Sequence, residues 1–202
     1  MTAGAQTQSS RQHCPWCGDD PLYLDYHHTE WGVPCYDDHV LFEFLTLESA
    51  QAGLSWITVL RKRENYRKAF ANFEAEKVAR FNSRSVERLM NDAGIVRNRL
   101  KIESAISNAH CFLDIQDKYD SFANYFWGFV DYQPIQNQLR SMKEAPASTE
   151  LSDKISKDMK KRGFRFFGTT ICYAHMQATG MVNDHLVDCF RHQECAALAR
   201  RP

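Results

Sequence analysis

Thiols and imidazoles near both ends of the sequence stand at spacings that suit a metal ion. His185 and Cys189 are four residues apart, a separation that brings both side chains to one face of a helix. Cys14 and His27, near the start of the chain, could provide two further ligands. Two sulfur and two nitrogen donors suit Zn²⁺ and leave no open coordination position. A metal held in this way would be structural and would join the two ends of the chain.

Spacing alone does not fix this ligand set. Cys14 and Cys17 form a Cys-x-x-Cys pair, and His28, His192 and Cys195 lie close to the same positions in the sequence. The chain has seven Cys and eight His, so a pair four residues apart can also arise by chance among unrelated buried side chains.

A carboxylate offers a second place for chemistry. The helix predicted over residues 38–52 carries Glu48 on the same apolar stripe as Leu41, Phe44 and Leu45. A buried carboxylate is costly unless it is paired or hydrogen-bonded. Glu48 therefore needs either a structural partner, such as an arginine, or a ligand that donates hydrogen bonds.

Aromatic residues gather around this helix in the sequence. Rings of this kind beside one carboxylate could bind a flat, electron-poor ring that donates hydrogen bonds. Each ring taken alone is more typical of a hydrophobic core, which is the alternative interpretation. The set is Trp16, Tyr23, Tyr26, Trp31 and Trp56.

A basic segment near the C-terminal end is bracketed by Gly163 and Gly168. It leads into a helix predicted to begin near Thr169, whose free N–H groups could hold a phosphate. Lysines and arginines flank the glycines, among them Lys161 and Arg165. Such a patch could grip a nucleic-acid backbone, although a basic run at a helix end is also typical of plain dipole compensation.

Composition limits the classes of protein that these residues can belong to. The 202 residues include 25 Lys+Arg and 25 Asp+Glu, so the formal net charge is zero, and 44 % are hydrophobic. That is a globular composition that permits only a local basic patch. No window approaches the roughly 18 apolar residues of a membrane helix, and residues 1–12 lack the apolar core of a signal peptide. We expect reduced thiols and a cytoplasmic location, with no membrane partner.

Helical periodicity dominates the sequence, and strand alternation is nearly absent. We predict an all-α fold of about eight or nine helices around one core. The folded domain is expected at 13–195, between a disordered tail at 1–12 and a second tail at 196–202. The main predicted helices are 38–52, 55–70, 83–94, 97–118, 148–163 and 169–180, with a polar connection at 134–149 and a short hairpin at 163–168.

Four longer stretches together resemble a known family. They are PLYLDYHHTEWGVP (21–34), LESAQAGLSWITVLRKRENYRKAF (47–70), NDAGIVRNRLKI (91–102) and KKRGFRFFGTTICYAHMQATGMVNDH (160–185). Their content and order resemble the DNA-3-methyladenine glycosylase I family, the Tag branch of the helix-hairpin-helix glycosylases. The resemblance runs from residue 14 to about residue 189, which is nearly the whole predicted domain.

The resemblance implies an all-α glycosylase fold with a helix-hairpin-helix element at about 150–180 and a zinc site joining the N- and C-terminal segments. It assigns one structural Zn²⁺ to Cys14, His27, His185 and Cys189, and so favours Cys14 over Cys17. It implies that Glu48 is the catalytic residue. The base pocket would be completed by Tyr26, Trp56, Tyr23, Trp16 and Trp31, and the DNA contacts would come from Gln51, Gly53, the wedge Leu54, Gly163, Gly168, Thr169, Lys161 and Arg165.

The sequence departs from the wider superfamily at one point. Asn183 stands where most helix-hairpin-helix glycosylases carry a catalytic aspartate, and Asp184 is displaced by one residue. We expect Asp184 to orient the neighbouring ligand His185. The lysine nucleophile of bifunctional members is replaced by Thr169 and Thr170, so no strand cleavage is expected.

The implied activity is that of a monofunctional, monomeric DNA glycosylase. It would flip 3-methyladenine out of double-stranded alkylated DNA, excise the base and leave an abasic site. A non-catalytic binder of damaged DNA is one alternative. A zinc hydrolase is another, but it would need an open metal position and a motif such as His-Glu-x-x-His, which the sequence lacks.

Overall fold

The structure is a computed structural model that describes residues 12–199, and it is mainly helical. The described part contains eleven α-helices. They are α1 (Pro21–Thr29), α2 (Asp38–Gln51), α3 (Trp56–Leu60), α4 (Arg63–Ala69), α5 (Ala75–Ala79), α6 (Ser83–Met90), α7 (Arg99–Tyr119), α8 (Phe122–Trp127), α9 (Glu150–Lys161), α10 (Thr169–Ala178) and α11 (Phe190–Leu198). Short 3₁₀ turns lie at Pro15–Cys17, Ala71–Phe73 and Gly128–Val130.

Two very short strands add the one β feature of residues 12–199. Strand β1 (Ile135–Gln136) pairs in parallel with β2 (Val182–Asn183), with Ile135 opposite Val182. The pair joins the connection after α8 to the segment after α10. The all-α prediction is therefore confirmed for the helices but does not include this pair of strands, because two-residue strands leave no alternation in a sequence.

Helix α2 is the central helix of the fold. Asp37 caps it by accepting a hydrogen bond from the N–H of Val40 at 3.1 Å. Every residue from Leu41 to Ala50 is buried, so the predicted single apolar stripe is too narrow. A helix that is buried on all sides lies inside the core, and this position carries Glu48 into the interior.

The other predicted helices differ in detail. The single helix predicted over 55–70 is two helices, α3 and α4, separated at Arg61 and Lys62. Breaks of this kind explain why the count exceeds eight or nine. Helix α9 begins with Thr149, which forms a capping box with Ser152; the sequence analysis missed this box because serine replaces the usual Glu or Gln.

The ends of the described chain meet in the fold. The N–H of Phe190 donates to the carbonyl oxygen of Gln12 at 3.0 Å. Helix α11 continues to Leu198, beyond the predicted domain end at residue 195. Residues 1–11 of the predicted tail at 1–12, and residues 200–202 of the second tail, lie outside the described residues. Among residues 12–199, no helix combines the length and apolarity needed to cross a bilayer.

Candidate functional site

Four side chains from the two ends of the chain converge on one buried point. These residues, Cys14, His27, His185 and Cys189, form the Cys/His cluster, and their ligand atoms all lie within 4.8 Å of one another. Cys189 Sγ is 3.6 Å from His27 Nε2 and 3.6 Å from His185 Nδ1, and Cys14 Sγ is 3.7 Å from His185 Nδ1. All four residues are buried.

Local structure explains this convergence. His27 projects from α1, and Cys14 stands just before the first 3₁₀ turn. His185 and Cys189 lie on a turn that leads into α11, not on a helix, so the helical geometry predicted from their spacing is wrong although the two side chains do meet.

The imidazole of His185 is oriented by the backbone. Its Nε2 lies 2.9 Å from the carbonyl oxygen of Trp31, and a carbonyl can only accept, so Nε2 carries the proton. Nδ1 is then left with the lone pair that a metal ligand needs. Gly32, which follows Trp31, has φ +80°, and an added Cβ would lie 2.8 Å from His185 Nε2. This position therefore requires glycine.

The donor set fits a structural metal ion. Two thiols and two imidazoles match the ligands of closed zinc sites. All four residues are buried, and their ligand atoms lie close enough together to surround one ion. The hydrogen bond with Cys14, aided by His185 and His27, lowers the pKa of the Cys189 thiol well below its usual range against the opposing effect of burial. Cys17 does not join the cluster, since its Sγ donates to the carbonyl oxygen of Cys14 at 3.0 Å.

A cavity of about 250 Å³ lies beside the cluster and is called here the aromatic cavity. This volume equals that of roughly eight waters in the liquid, which leaves room for one bicyclic ring. All five predicted aromatic residues line it. The full lining is Trp16, Tyr23, Tyr26, Trp31, Glu48, Gln51, Trp56, Met142, Ala145, Ala174, Gln177 and Asp184.

Glu48 enters the aromatic cavity from α2 and is only 3 % exposed. Its Oε2 atom is buried and has no hydrogen-bond partner among the described residues. Burial raises the pKa of Glu48 to about 8. An arginine was the alternative partner expected for Glu48. In the structure an arginine pairs with Glu43 of the same helix instead, with Arg63 Nε 2.6 Å from Glu43 Oε1.

The aromatic walls contact one another and the Cys/His cluster. Tyr26 and Trp56 have ring centroids 5.4 Å apart, and Trp16 and Trp31 have centroids 4.9 Å apart. Trp31 is also packed edge-on against His185 at 4.6 Å. The cluster therefore supports one wall of the cavity, which is how a structural metal there would stabilise the site.

Three polar groups belong to residues of these walls, namely the hydroxyl of Tyr26 and the indole N–H groups of Trp16 and Trp56. Burial, and next the charge of Glu48, raise the pKa of Tyr26 well above its usual value, so its hydroxyl stays neutral. The indole N–H groups of Trp16 and Trp56 are buried without a partner in the described structure. Unsatisfied buried donors are costly, and a polar ring in the cavity would relieve that cost.

The expectation that Asp184 orients His185 is wrong. None of its hydrogen bonds reaches His185: Oδ2 accepts from Tyr173 Oη and Gln177 Nε2, both at 2.7 Å, and Oδ1 accepts from Asn137 Nδ2 at 2.7 Å. Asp184 lines the aromatic cavity instead. Its departure from the expected motif position was the signal in the sequence, but it was interpreted as a link to the metal.

Asn183 is turned away from the cavity. Its side-chain amide donates to Gln136 Oε1 at 2.8 Å and to the carbonyl oxygen of His192 at 2.9 Å. Successive residues of an extended segment face opposite sides, so Asp184 lines the cavity and Asn183 does not. Four further cavity residues were not found from the sequence: Met142, Ala145, Ala174 and Gln177.

The loop after α2 carries three of the predicted DNA contacts. Gln51 lines the aromatic cavity, Gly53 has φ +80°, and Leu54 is 41 % exposed. Lys101 Nζ donates to the carbonyl oxygens of Ala50 and Ala52, at 2.8 Å and 2.6 Å. Lys101 therefore fixes the loop that exposes Leu54 beside the cavity, and this position suits Leu54 for contact with a bound molecule.

The glycine-bracketed segment is a loop between α9 and α10, with no strand within residues 163–168. Gly163 has φ +102°, and an added Cβ on Gly168 would meet no atom within 4 Å, so the N-terminus of α10 is open to a ligand. Lys161 and Arg165 are exposed. The Thr169 hydroxyl is bonded to Ser152 Oγ at 2.8 Å.

Comparison with known proteins identifies the family. The sequence model of the methyladenine glycosylases matches residues 16–192. The chain belongs to the methyladenine glycosylase family. As a member of it, the chain is a glycosidase, an enzyme that hydrolyses N-glycosyl bonds.

Relatives within the methyladenine glycosylase family are similar over nearly their full length. The chain is 52 % identical to DNA-3-methyladenine glycosylase 1 of Escherichia coli K12, over 88 % of this chain and 95 % of that protein. It is 46 % identical to DNA-3-methyladenine glycosylase of Haemophilus influenzae, over 87 % of this chain and 95 % of that protein.

Solved structures of the family agree in fold. A crystal structure of 3-methyladenine DNA glycosylase I superposes with a TM-score of 0.87 at 52 % identity, covering 89 % of this chain and 98 % of that one. The Staphylococcus aureus enzyme, whose structure addresses 3-methyladenine recognition, superposes with a TM-score of 0.86 at 35 % identity over 95 % and 98 % of the chains.

Proposed function

We propose that this methyladenine glycosylase excises 3-methyladenine from alkylated double-stranded DNA and leaves an abasic site for base excision repair. The observation that carries the proposal is the carboxylate of Glu48, which is buried in an aromatic cavity with Oε2 unpartnered. A methylated adenine supplies what this site lacks, namely positive charge, hydrogen-bond donors and a flat ring. The relatives named for 3-methyladenine support the same substrate.

The base must leave the helix before it can enter the cavity. A base inside a duplex is covered by its neighbours, so the nucleotide is flipped out and held in the pocket. Leu54, exposed on the loop after α2, would fill the space that the base vacates. Gln51 and Gly53 of the same loop would contact the DNA beside it.

Inside the cavity, Glu48 would accept a hydrogen bond from the amino edge of the base and stabilise its positive charge. Trp56 would stack on the ring, and Tyr26 would contact its edge through a neutral hydroxyl. Stacking and one charged hydrogen bond each contribute on the order of 1–3 kcal/mol. Tyr23, Trp16 and Trp31 would form the remaining walls.

The chemistry requires little further help from the protein. Methylation at N3 makes the adenine cationic, so the base leaves as a neutral molecule when the N-glycosidic electron pair moves onto it. A water molecule then bonds to the sugar carbon and releases a proton. Thr169 and Thr170 stand where bifunctional members of the superfamily carry a lysine nucleophile, so the enzyme would be monofunctional and form no Schiff base.

The Cys/His cluster would hold one structural Zn²⁺ through Cys14, His27, His185 and Cys189. When bound, the ion supplies a closed tetrahedral crosslink and no reactive position. His185 would keep its ring orientation through the carbonyl of Trp31, and Trp31 would thereby remain in the cavity wall.

The segment at about 150–180 would act as a helix-hairpin-helix element that holds the DNA backbone. Gly168 and Thr169 would bring the N-terminus of α10 to a phosphate, Gly163 would form the turn, and Lys161 and Arg165 would add positive charge. Asn108 clamps this loop, since its side chain bonds the backbone N–H and carbonyl of Arg165 at 2.8 Å and 2.9 Å. The enzyme would work as a monomer.

Base release from a methylated duplex tests the proposal. Duplex DNA treated with a methylating agent is incubated with the protein, and the released bases are separated by chromatography. We expect 3-methyladenine in the soluble fraction and an equal number of abasic sites in the DNA. Tight binding of the methylated duplex without release of any base would establish the non-catalytic alternative.

A further inference from the structure

The aromatic cavity contains a second carboxylate for which the proposed function has no use. Asp184 is 3 % exposed and lines the same cavity as Glu48. The two side chains come from separate elements, because Glu48 lies on α2 whereas Asp184 follows β2. A single cavity thus receives two acidic groups from two independent parts of the chain.

The environments of the two carboxylates are opposite. Glu48 Oε2 has no partner, whereas three donors, from Tyr173, Gln177 and Asn137, hold both oxygens of Asp184 at 2.7 Å. Glu48 Oε2, which lacks a partner among the described residues, can gain a hydrogen-bond donor when a base enters. Asp184 is fixed as an oriented, preorganised acceptor, which is the arrangement that stabilises developing charge most effectively.

Asp184 is hydrogen-bonded to the connection that supplies the solvent-exposed part of the cavity lining. Its partner Asn137 belongs to the connection after β1, and Met142 and Ala145 of the same connection also line the cavity. Met142 is 40 % exposed, so this wall borders solvent. A flipped nucleotide places its base inside and keeps its sugar at the mouth, attached to the DNA backbone.

The reaction moves positive charge from the base to the sugar. As the bond between C1′ and N9 breaks, its electron pair passes to the purine, which becomes neutral, and the deoxyribose gains oxocarbenium character. Water oxygen then forms the bond to C1′ and loses a proton to solvent. An anion that interacts only with the base also stabilises the ground state, so an anion beside the sugar would add transition-state stabilisation that Glu48 does not supply.

We propose that Asp184 is that anion: its fixed carboxylate stabilises the positive charge that builds on the deoxyribose during bond cleavage. This inference rests on the proposed excision activity and assigns the two carboxylates different tasks. Glu48 binds the base, and Asp184 favours the transition state. Pairs of carboxylates that flank a glycosidic bond do comparable work in hydrolases of sugars.

The test separates rate from binding. In Asp184→Asn, single-turnover release of 3-methyladenine should fall at least tenfold, while the affinity for free 3-methyladenine stays within about threefold of wild type. Binding of two uncleavable duplexes gives a second readout. Wild type should prefer a duplex with a cationic pyrrolidine in place of the sugar over one with neutral tetrahydrofuran, and Asp184→Asn should lose most of that preference.

Two variants control for structural damage. Tyr173→Phe removes one donor and keeps the charge, so it should slow release no more than about threefold. Asp38→Asn disturbs a similar network outside the cavity, in which Asp38 accepts from Gln116 Nε2 and from the N–H groups of Phe122 and Ala123 at 2.7–2.8 Å; it should leave release and the pyrrolidine preference unchanged.

The outcomes decide the inference separately from the activity itself. An unchanged release rate in Asp184→Asn, or an equal loss in Tyr173→Phe, would overturn the role of Asp184. An unaltered pyrrolidine preference in Asp184→Asn would do the same. If wild type released no base from methylated DNA, the proposed function would fail instead.

Discussion

In the Cys/His cluster every ligand atom lies within 4.8 Å of the other three, whereas in the adjoining aromatic cavity Glu48 Oε2 and two indole N–H groups lack partners within residues 12–199. The two regions share Trp31, which contacts His185 on one side and lines the cavity on the other. Polar groups that converge on each other form a closed structural site. Polar groups left unsatisfied around a cavity form a site for something that enters from outside.

The largest expected effect concerns the closed region. Cys14→Ala should remove about one zinc ion per chain and lower the melting temperature by at least about 10 °C, because metal binding contributes directly to folding free energy. Metal analysis and thermal unfolding of the purified variant measure both effects. Cys17→Ala is the matched control and should keep its metal. If Cys17→Ala lost zinc while Cys14→Ala kept full occupancy, Cys17 and not Cys14 would be the ligand.

The second prediction concerns the open region. Glu48→Gln should slow release of 3-methyladenine at least tenfold with unchanged metal content and no loss of thermal stability, because Glu48 Oε2 has no hydrogen-bond partner among residues 12–199. Glu43→Gln on the same helix should do the reverse. Glu43 forms buried ion pairs with Arg63 and Arg67, so its loss should lower the melting temperature and spare excision. If Glu48→Gln were unfolded, Glu48 would have a structural role and not a base-binding role.

The difference between the regions also predicts a pH dependence. Burial raises the pKa of Glu48 from its ordinary value of 4.5 to about 8, so the folded protein binds this proton more tightly than the unfolded chain does. The stabilising contribution is complete below pH 4.5, declines as pH rises and is absent above about pH 8. Glu48→Gln does not titrate.

The melting temperature of Glu48→Gln relative to wild type should therefore increase between pH 5 and pH 9, by on the order of 5 °C. Thermal scans of both proteins across this range measure the difference. A constant difference would show that Glu48 is paired or solvated in the folded protein.

The smallest effect is expected at the mouth of the cavity. Leu54 is 41 % exposed, so Leu54→Ala should leave the melting temperature within about 2 °C. Excision from duplex DNA should fall about threefold to tenfold, because a smaller side chain fills the vacated space less well. Leu198→Ala, an exposed leucine on α11, is the control. If Leu54→Ala and Leu198→Ala excised the base equally fast, Leu54 would not contact the DNA.

Sequence patterns predicted what depends on periodicity and residue chemistry. The placement of Glu48 inside the protein followed from the apolar positions around it, and α2, α7, α9 and α10 were all expected near their observed bounds. The aromatic set was recognised as a possible binding site, and the structure brings all five rings to one cavity.

Features that depend on tertiary contacts were beyond such patterns. Spacing did not distinguish Cys14 from Cys17, because only the fold turns one thiol toward the cluster and the other toward a backbone carbonyl. Asp184 was linked to its sequence neighbour His185, while its three donors come from positions 137, 173 and 177. Met142 lines the cavity from the connection at 134–149. This segment has no helical or strand periodicity from which its position could be predicted.

The central claim is that Glu48 and the aromatic walls hold 3-methyladenine, and a crystal structure of the protein with the free base tests it most directly. We expect the ring in the aromatic cavity, stacked on Trp56, with its amino group within hydrogen-bond distance of a Glu48 oxygen and with no such density in crystals of Glu48→Gln. A base bound elsewhere, or bound equally in both proteins, would contradict the account.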